Sequence, residues 1–148
     1  MSHSPSIQPE REQADLCCHT DPELPSPVRV RLAVAAGGAV GTGLRAAMAF
    51  AIPESLWPWA TFIENVSGAF LLGLLLTRLS MAYGKTSVAI PFFCAGLLGS
   101  YTTFSTFVVE ILRLGDTHPG MAVVYAITSV VLGLLAAHTG RFLAERKR

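Results

Sequence analysis

Gly96-Leu97-Leu98-Gly99-Ser100-Tyr101-Thr102-Thr103-Phe104-Ser105-Thr106-Phe107-Val108-Val109-Glu110 is the stretch that the rest of the chain is organised to serve. It lies inside an apolar run over residues 87–114. A plain membrane helix would carry Leu and Val through its middle, whereas this one carries Gly, Ser, Thr and Tyr. Helix interiors favour neither Gly nor β-branched Thr in series. Lipid tolerates an interrupted helix only where the freed backbone groups are buried in protein or line a polar cavity. The stretch therefore predicts a broken membrane helix whose break is put to use.

Composition agrees. The chain has 148 residues, 51% hydrophobic and 14% charged, with a mean hydropathy of +0.49. A soluble domain carries about 25% charged residues. Most of the charges here lie before Leu32 or after Gly140, leaving the middle for lipid. Net charge is +1 and no Lys/Arg cluster is interleaved with aromatics, so nucleic acid is not an expected partner. Cys17, Cys18 and Cys94 form neither a metal spacing nor an even disulfide set. Cys17-Cys18 reads as an inert tail pair rather than a lipidation site, and Cys94 as a small packing residue. No nucleophile–base pair, metal cluster or phosphate loop is visible, so the chain does not read as an enzyme.

Residues 1–27 are polar and Pro-rich, with nothing resembling a signal-peptide core. They bury too little apolar surface to offset ordering entropy and read as a disordered tail. His3 and His19 fall in this tail and read as solvated. Four apolar runs follow, over about 28–52, 56–79, 87–114 and 121–143, each long enough for the roughly 20 helical residues a bilayer requires. A short basic tail, 144–148, ends the chain. The fold class is an all-α membrane protein of four transmembrane helices, the third broken. Residues 78–85 and 115–120 read as loops, with His118 solvated. Arg11, Arg29, Arg31, Arg78, Lys85, Arg141, Arg146, Lys147 and Arg148 would share one side, against Arg113 and Arg45 on the other. Positive residues stay cytoplasmic, so both termini are expected inside the cell membrane.

Gly37, Gly38, Gly41 and Gly43 give the first span a small-residue face, read as close helix packing. Arg45 is costly within a span. It faces protein or water, or snorkels to the interface. Trp57 and Trp59 look like interfacial anchors of the second span. Asn65, above Gly68, Ala69 and Gly73, offers an interhelical hydrogen bond worth about 1 kcal/mol, or a ligand contact on a permeation path. Glu64 is turned about 100° from it and is expected to face elsewhere. In the third span, Phe104 and Phe107 are three apart and share a face, with Thr103, Thr106 and Glu110 on the adjacent one and Ser105 between. In the fourth, Tyr125 and Ser129 face the same way, and His138 reads as a snorkelling polar group near the span's end.

This constellation suits a small ion. Aromatic rings have positive edges, so Phe104 and Phe107 could offer them to an anion without a trapping charge. Asn65 can donate through its amide, and Ser105, Thr106, Tyr125 and Ser129 through hydroxyls. Conduction needs binding that replaces hydration yet releases. Carbonyls freed at the break could instead hold a cation. A four-span chain encloses little by itself, so a dimer is expected.

The sequence resembles the CrcB/Fluc family of fluoride channels. The resemblance is carried by Gly37-Gly38-Ala39-Val40-Gly41-Thr42-Gly43-Leu44-Arg45, by Asn65-Val66-Ser67-Gly68-Ala69-Phe70-Leu71-Leu72-Gly73, and by Thr102-Thr103-Phe104-Ser105-Thr106-Phe107 within residues 96–110. It covers about 28–143. The resemblance implies an antiparallel, dual-topology dimer with two pores, and a structural sodium ion at its centre held by the carbonyls of Gly99 and Thr102. It further implies passive fluoride export, giving fluoride resistance, along Asn65, Phe104, Phe107, Ser105 and Thr106. Tyr125 and Ser129 match polar positions of the fourth helix, Glu110 an acid near the pathway, and Arg45 an aqueous vestibule.

Two features depart from that pattern. The heavy basic bias suits one fixed orientation, so the dimer partner is either a second copy or an oppositely inserted paralogue. Glu64 stands where a small or apolar residue is more usual, and a carboxylate on the path would repel fluoride unless protonated. The alternatives are a small proton-coupled multidrug exchanger, for which Glu64 would be the coupling acid, and a non-conducting subunit of a heterodimeric channel.

Overall fold

Ser26 starts the first helix. Its hydroxyl accepts from the Arg29 N–H, and Pro27 fills the first helical position, where no N–H is needed. In the computed structural model, which describes residues 24–53, 55–83 and 87–146, this helix, α1, runs Pro27–Ala51. The extended Ile52 ends it ahead of Pro53. The second helix, α2, is Trp59–Tyr83. The third span comes in two pieces. Its first piece, α3, is wound wide as a π-helix over Pro91–Leu98 and continues as one α-turn over Gly99–Tyr101. Its second, α4, is Phe104–Thr117. The last helix, α5, is Pro119–Arg146. All described secondary structure is helical, and four helical segments are long and apolar enough to cross a membrane, counting Pro91–Thr117 as one.

The break lets the third span change partners. Before it, α3 packs on α1; after it, α4 packs on α5. The α1–α3 contact is backbone against backbone. A Cβ on Gly37 would strike the Phe92 carbonyl, and one on Gly41 the Leu97 carbonyl. The small-residue face is thus a packing surface, the close-approach geometry of membrane helices. Helices α2 and α5 meet along their length in the same way, Gly73 under Ala137 and Gly140 under Phe70. The small apolar core, Phe107, Leu114, Ala122 and Tyr125, lies between α4 and α5. Elsewhere large apolar side chains such as Leu32, Phe50, Leu112 and Leu134 point outward, as lipid or a second subunit permits.

Some boundaries differ from the sequence reading. Arg78, Met81 and Tyr83 extend α2 rather than forming a loop, and Gly115 and Asp116 belong to α4. The turn there is confined to His118, because Pro119 can open α5 at once. Helix α5 runs on through Arg146, where Arg141 Nε lies 2.8 Å from Glu145. The tail expected to be disordered falls, up to residue 23, outside the described residues. Lys85 also lies outside them.

Candidate functional site

Thr102 and Thr103 are the break. Both are extended, at φ −79°, ψ 154° and φ −144°, ψ 121°. Two extended residues in mid-bilayer free backbone groups that must find partners. The Thr103 N–H donates to Asn65 Oδ1 at 2.9 Å, and Asn65 Nδ2 donates to the Thr103 carbonyl at 3.0 Å. Thr103 also caps α4, its hydroxyl accepting from the Thr106 N–H at 3.2 Å. Thr102 folds its hydroxyl back onto the Leu98 carbonyl at 2.9 Å. Gly68 makes room, since a Cβ there would collide with the Thr102 methyl.

These bonds leave two carbonyls without their usual donors. In a continuous helix the Gly99 carbonyl would accept from Thr103 and the Thr102 carbonyl from Thr106. Both N–H groups are turned to side chains instead. The Gly99 and Thr102 carbonyls are thus among those that the break releases from helical pairing. Among the described residues no group of three or more His, Cys, Asp or Glu could hold a metal.

Beside the break lies a cavity of about 690 Å³, walled by α1, α2, α4 and the turn between α1 and α2. Arg45, Glu64, Thr103, Ser105, Thr106 and Glu110 line it. Glu110 is fixed at both oxygens: Thr61 donates to Oε1 and Tyr125 to Oε2, each at 2.7 Å. Tyr125 is wholly buried, held between Phe107 at 5.4 Å and Trp57 at 5.3 Å between ring centroids. Ser129, one turn further along α5, is buried with its hydroxyl unpartnered. Arg45 is half-buried and makes no ion pair within 4.0 Å among the described residues. It faces this cavity rather than lipid.

The two phenylalanines differ more than their spacing suggests. Their centroids are 6.0 Å apart, yet Phe107 is 8% exposed and Phe104 is 78% exposed. Phe104 is the first residue of α4, so no preceding turn covers it. Ser105 and Thr106 are also exposed on the single chain. Asn65 has only one N–H left for a ligand, because the other holds the break.

Glu64 does not turn away. It is 2% exposed and lines the same cavity as Glu110. Helix α2 is covered over an arc wide enough to enclose both Glu64 and Asn65. Thr61 was not singled out from the sequence. Thr61, Glu64 and Gly68 stand at i, i+3 and i+7, one buried stripe, and that spacing was the available signal. Trp57, expected as an interfacial anchor, turns its ring inward onto Tyr125, while Trp59 stays half-exposed.

Fold and site together define a multi-pass membrane protein with a pinned helix break and a polar cavity inside its helix bundle. Residues 32–141 match the family described as CrcB-like protein, Camphor Resistance (CrcB). The chain belongs to this family. It is 46% identical over 119 residues to a Mycobacterium bovis protein called fluoride-specific ion channel FluC 1, a match covering 78% of this chain and 90% of that one. A Ligilactobacillus salivarius protein of the same name is 37% identical over 114 residues, covering 72% of this chain and 96% of its own. A Thermotoga petrophila protein called fluoride-specific ion channel FluC is 37% identical over 120 residues, covering 78% and 94%. These relatives carry the name of a channel, not of a catalyst.

Proposed function

We propose that this chain forms a fluoride-selective channel through which cytoplasmic fluoride leaves passively, giving fluoride resistance. The observation that carries this reading is the break pinned by Asn65. It keeps hydroxyls, one spare amide N–H and an uncovered ring together beside a polar cavity. The channel names of the relatives support it and leave the exchanger alternative without support. The path follows Arg45 at the cavity, then Asn65, Ser105, Thr106 and the edges of Phe104 and Phe107, with Glu110, Tyr125 and Ser129 alongside. Neutral donors and ring edges bind a halide without trapping it.

A sodium ion at the carbonyls of Gly99 and Thr102 would supply a fixed positive charge beside the break, as unwound membrane helices do elsewhere. The exposed Phe104 asks for cover, which an antiparallel partner would give: a second copy, or an oppositely oriented paralogue as the basic bias favours. In this reading both termini are cytoplasmic. The test is fluoride release from liposomes containing the purified chain, with a potassium ionophore to relieve the voltage. Rapid ionophore-dependent release of fluoride but not chloride is expected. Vesicles that hold their fluoride, with every required subunit present, would end the reading.

A further inference from the structure

Two carboxylates share the cavity, and the structure treats them oppositely. Glu110 receives a hydroxyl at each oxygen. The Glu64 carboxyl, in a residue buried to 2% exposure, receives no hydrogen bond from the described residues, and its Oε1 is sealed from solvent without a partner. Two hydroxyls thus satisfy the Glu110 carboxyl, whereas a carboxyl buried in a span without donors is left to a proton or an unmet charge, which is costly there. The charged and titratable groups around Glu64 are Arg45 from α1, Glu110 and Arg113 from α4, and Tyr125 from α5. Among the described residues no cationic nitrogen lies within 4.0 Å of its carboxyl. Tyr125 is already committed to Glu110. Nearby, α3 offers the phenol of Tyr101, which is bonded to Ser67.

We infer that Glu64 is a proton-binding residue on the anion path, and that fluoride occupies the cavity only while Glu64 is protonated. The inference rests on the channel reading above. With the proton on, Glu64 adds no charge to the wall, and Glu110 stays held by its two hydroxyl donors. Loss of the proton puts a second negative charge on the wall that Glu110 lines, in a cavity where Arg45 and Arg113 are the cations, and a carboxylate facing the anion repels it. Conduction is thereby tied to acidity, the condition in which fluoride enters a compartment as the neutral acid. Thr106, which also lines the cavity, accepts from the Thr103 hydroxyl at 3.0 Å and so keeps its own O–H to donate to the anion, while Ser105 is 3.3 Å from the same Thr103 hydroxyl.

The test measures ionophore-dependent fluoride release from liposomes over a pH series, with protein-free vesicles subtracted to remove leakage of the neutral acid. Release is expected to fall roughly tenfold for each pH unit on the alkaline side of a single-proton transition. Glu64→Gln is expected to hold the acidic-side rate across the whole series and remove the slope. In parallel, the infrared carboxylic-acid band is followed in wild type and Glu64→Gln. A band that disappears over the same pH range, and that is missing from the variant, supports the assignment. Release at one rate at every pH overturns the inference and leaves the channel reading standing. A slope that survives in Glu64→Gln does the same, as does the absence of any band specific to Glu64. Vesicles that hold fluoride at every pH overturn both.

Discussion

Asn65 and Thr103 hold one another by two reciprocal hydrogen bonds, the side-chain amide of one against both backbone groups of the other, at 2.9 and 3.0 Å. The amide takes the place of a neighbouring peptide, as in a sheet pair. It also joins α2 to the middle of the third span, so the position of Phe104 depends on it. The primary amide carries its donor and its acceptor on two atoms of one planar group, which lets it meet the N–H and the carbonyl of one residue together. Asn65→Ala leaves the Thr103 N–H and carbonyl without protein partners in the bilayer, at roughly 1–3 kcal/mol each. Asn65→Asp keeps the acceptor but sets a second acceptor against the Thr103 carbonyl. Both variants are expected to unfold at lower temperature in detergent and to lose fluoride release. A variant with full release would show that the pin is dispensable.

The glycines make a separate prediction, because they fall into two groups. Gly140 approaches the Phe70 backbone so closely that a Cβ would collide, whereas nothing lies within 4 Å of a Cβ on Gly133, in the same helix. Gly140→Ala should therefore prise α2 from α5 and destabilise the chain by about 1–3 kcal/mol, the usual cost of overpacking. Gly133→Ala should be neutral, or stabilising by up to about 1 kcal/mol through helix propensity. Thermal unfolding of the two variants in one detergent checks the contrast.

What the sequence made legible follows from where lipid forces a choice. Asn65 stood out because an amide in an apolar run needs a partner, and the Thr103 backbone is that partner. The break stood out because Gly, Ser and Thr displace Leu there. Thr61 did not stand out, since a hydroxyl near the start of a span is ordinary, and its bond to Glu110 crosses from α2 to α4. Glu64 was expected to face away because a rotation of 100° separates it from Asn65. That rotation decides exposure only for a helix covered on one narrow face, and α2 meets α3, α4 and α5. Phe104 and Phe107 were read as a pair, but the first stands at the helix start and the second one turn inside it.

Thr61, Glu110 and Tyr125 form a three-helix bridge that pulls α2, α4 and α5 together. Hydrogen bonds to a charged group contribute about 1.5–3 kcal/mol each. Thr61→Val and Tyr125→Phe each remove one donor while keeping shape. Because both donors serve one carboxylate, their effects should not add. A double-mutant cycle on unfolding is expected to give a coupling of about 0.5–3 kcal/mol. Additivity within about 0.3 kcal/mol would mean that the two bonds act independently.

The sharpest contrast concerns the two rings. Phe107 is buried against Tyr125 and belongs to the core, so Phe107→Ala opens a cavity and should destabilise the single chain by about 3–5 kcal/mol. Phe104 is 78% exposed and contributes little to the chain's own packing. Phe104→Ala should leave the stability of the isolated subunit within about 0.5 kcal/mol, as exposed substitutions do. It should nonetheless abolish most fluoride release, because the proposed path loses the more exposed of its two ring edges. Stability and flux therefore part company at Phe104 and fall together at Phe107. Measuring both quantities on both variants separates a ring that holds the fold from a ring that meets the ion. If Phe104→Ala keeps its release, the exposed ring belongs to lipid or to a subunit contact, and the anion path lies elsewhere.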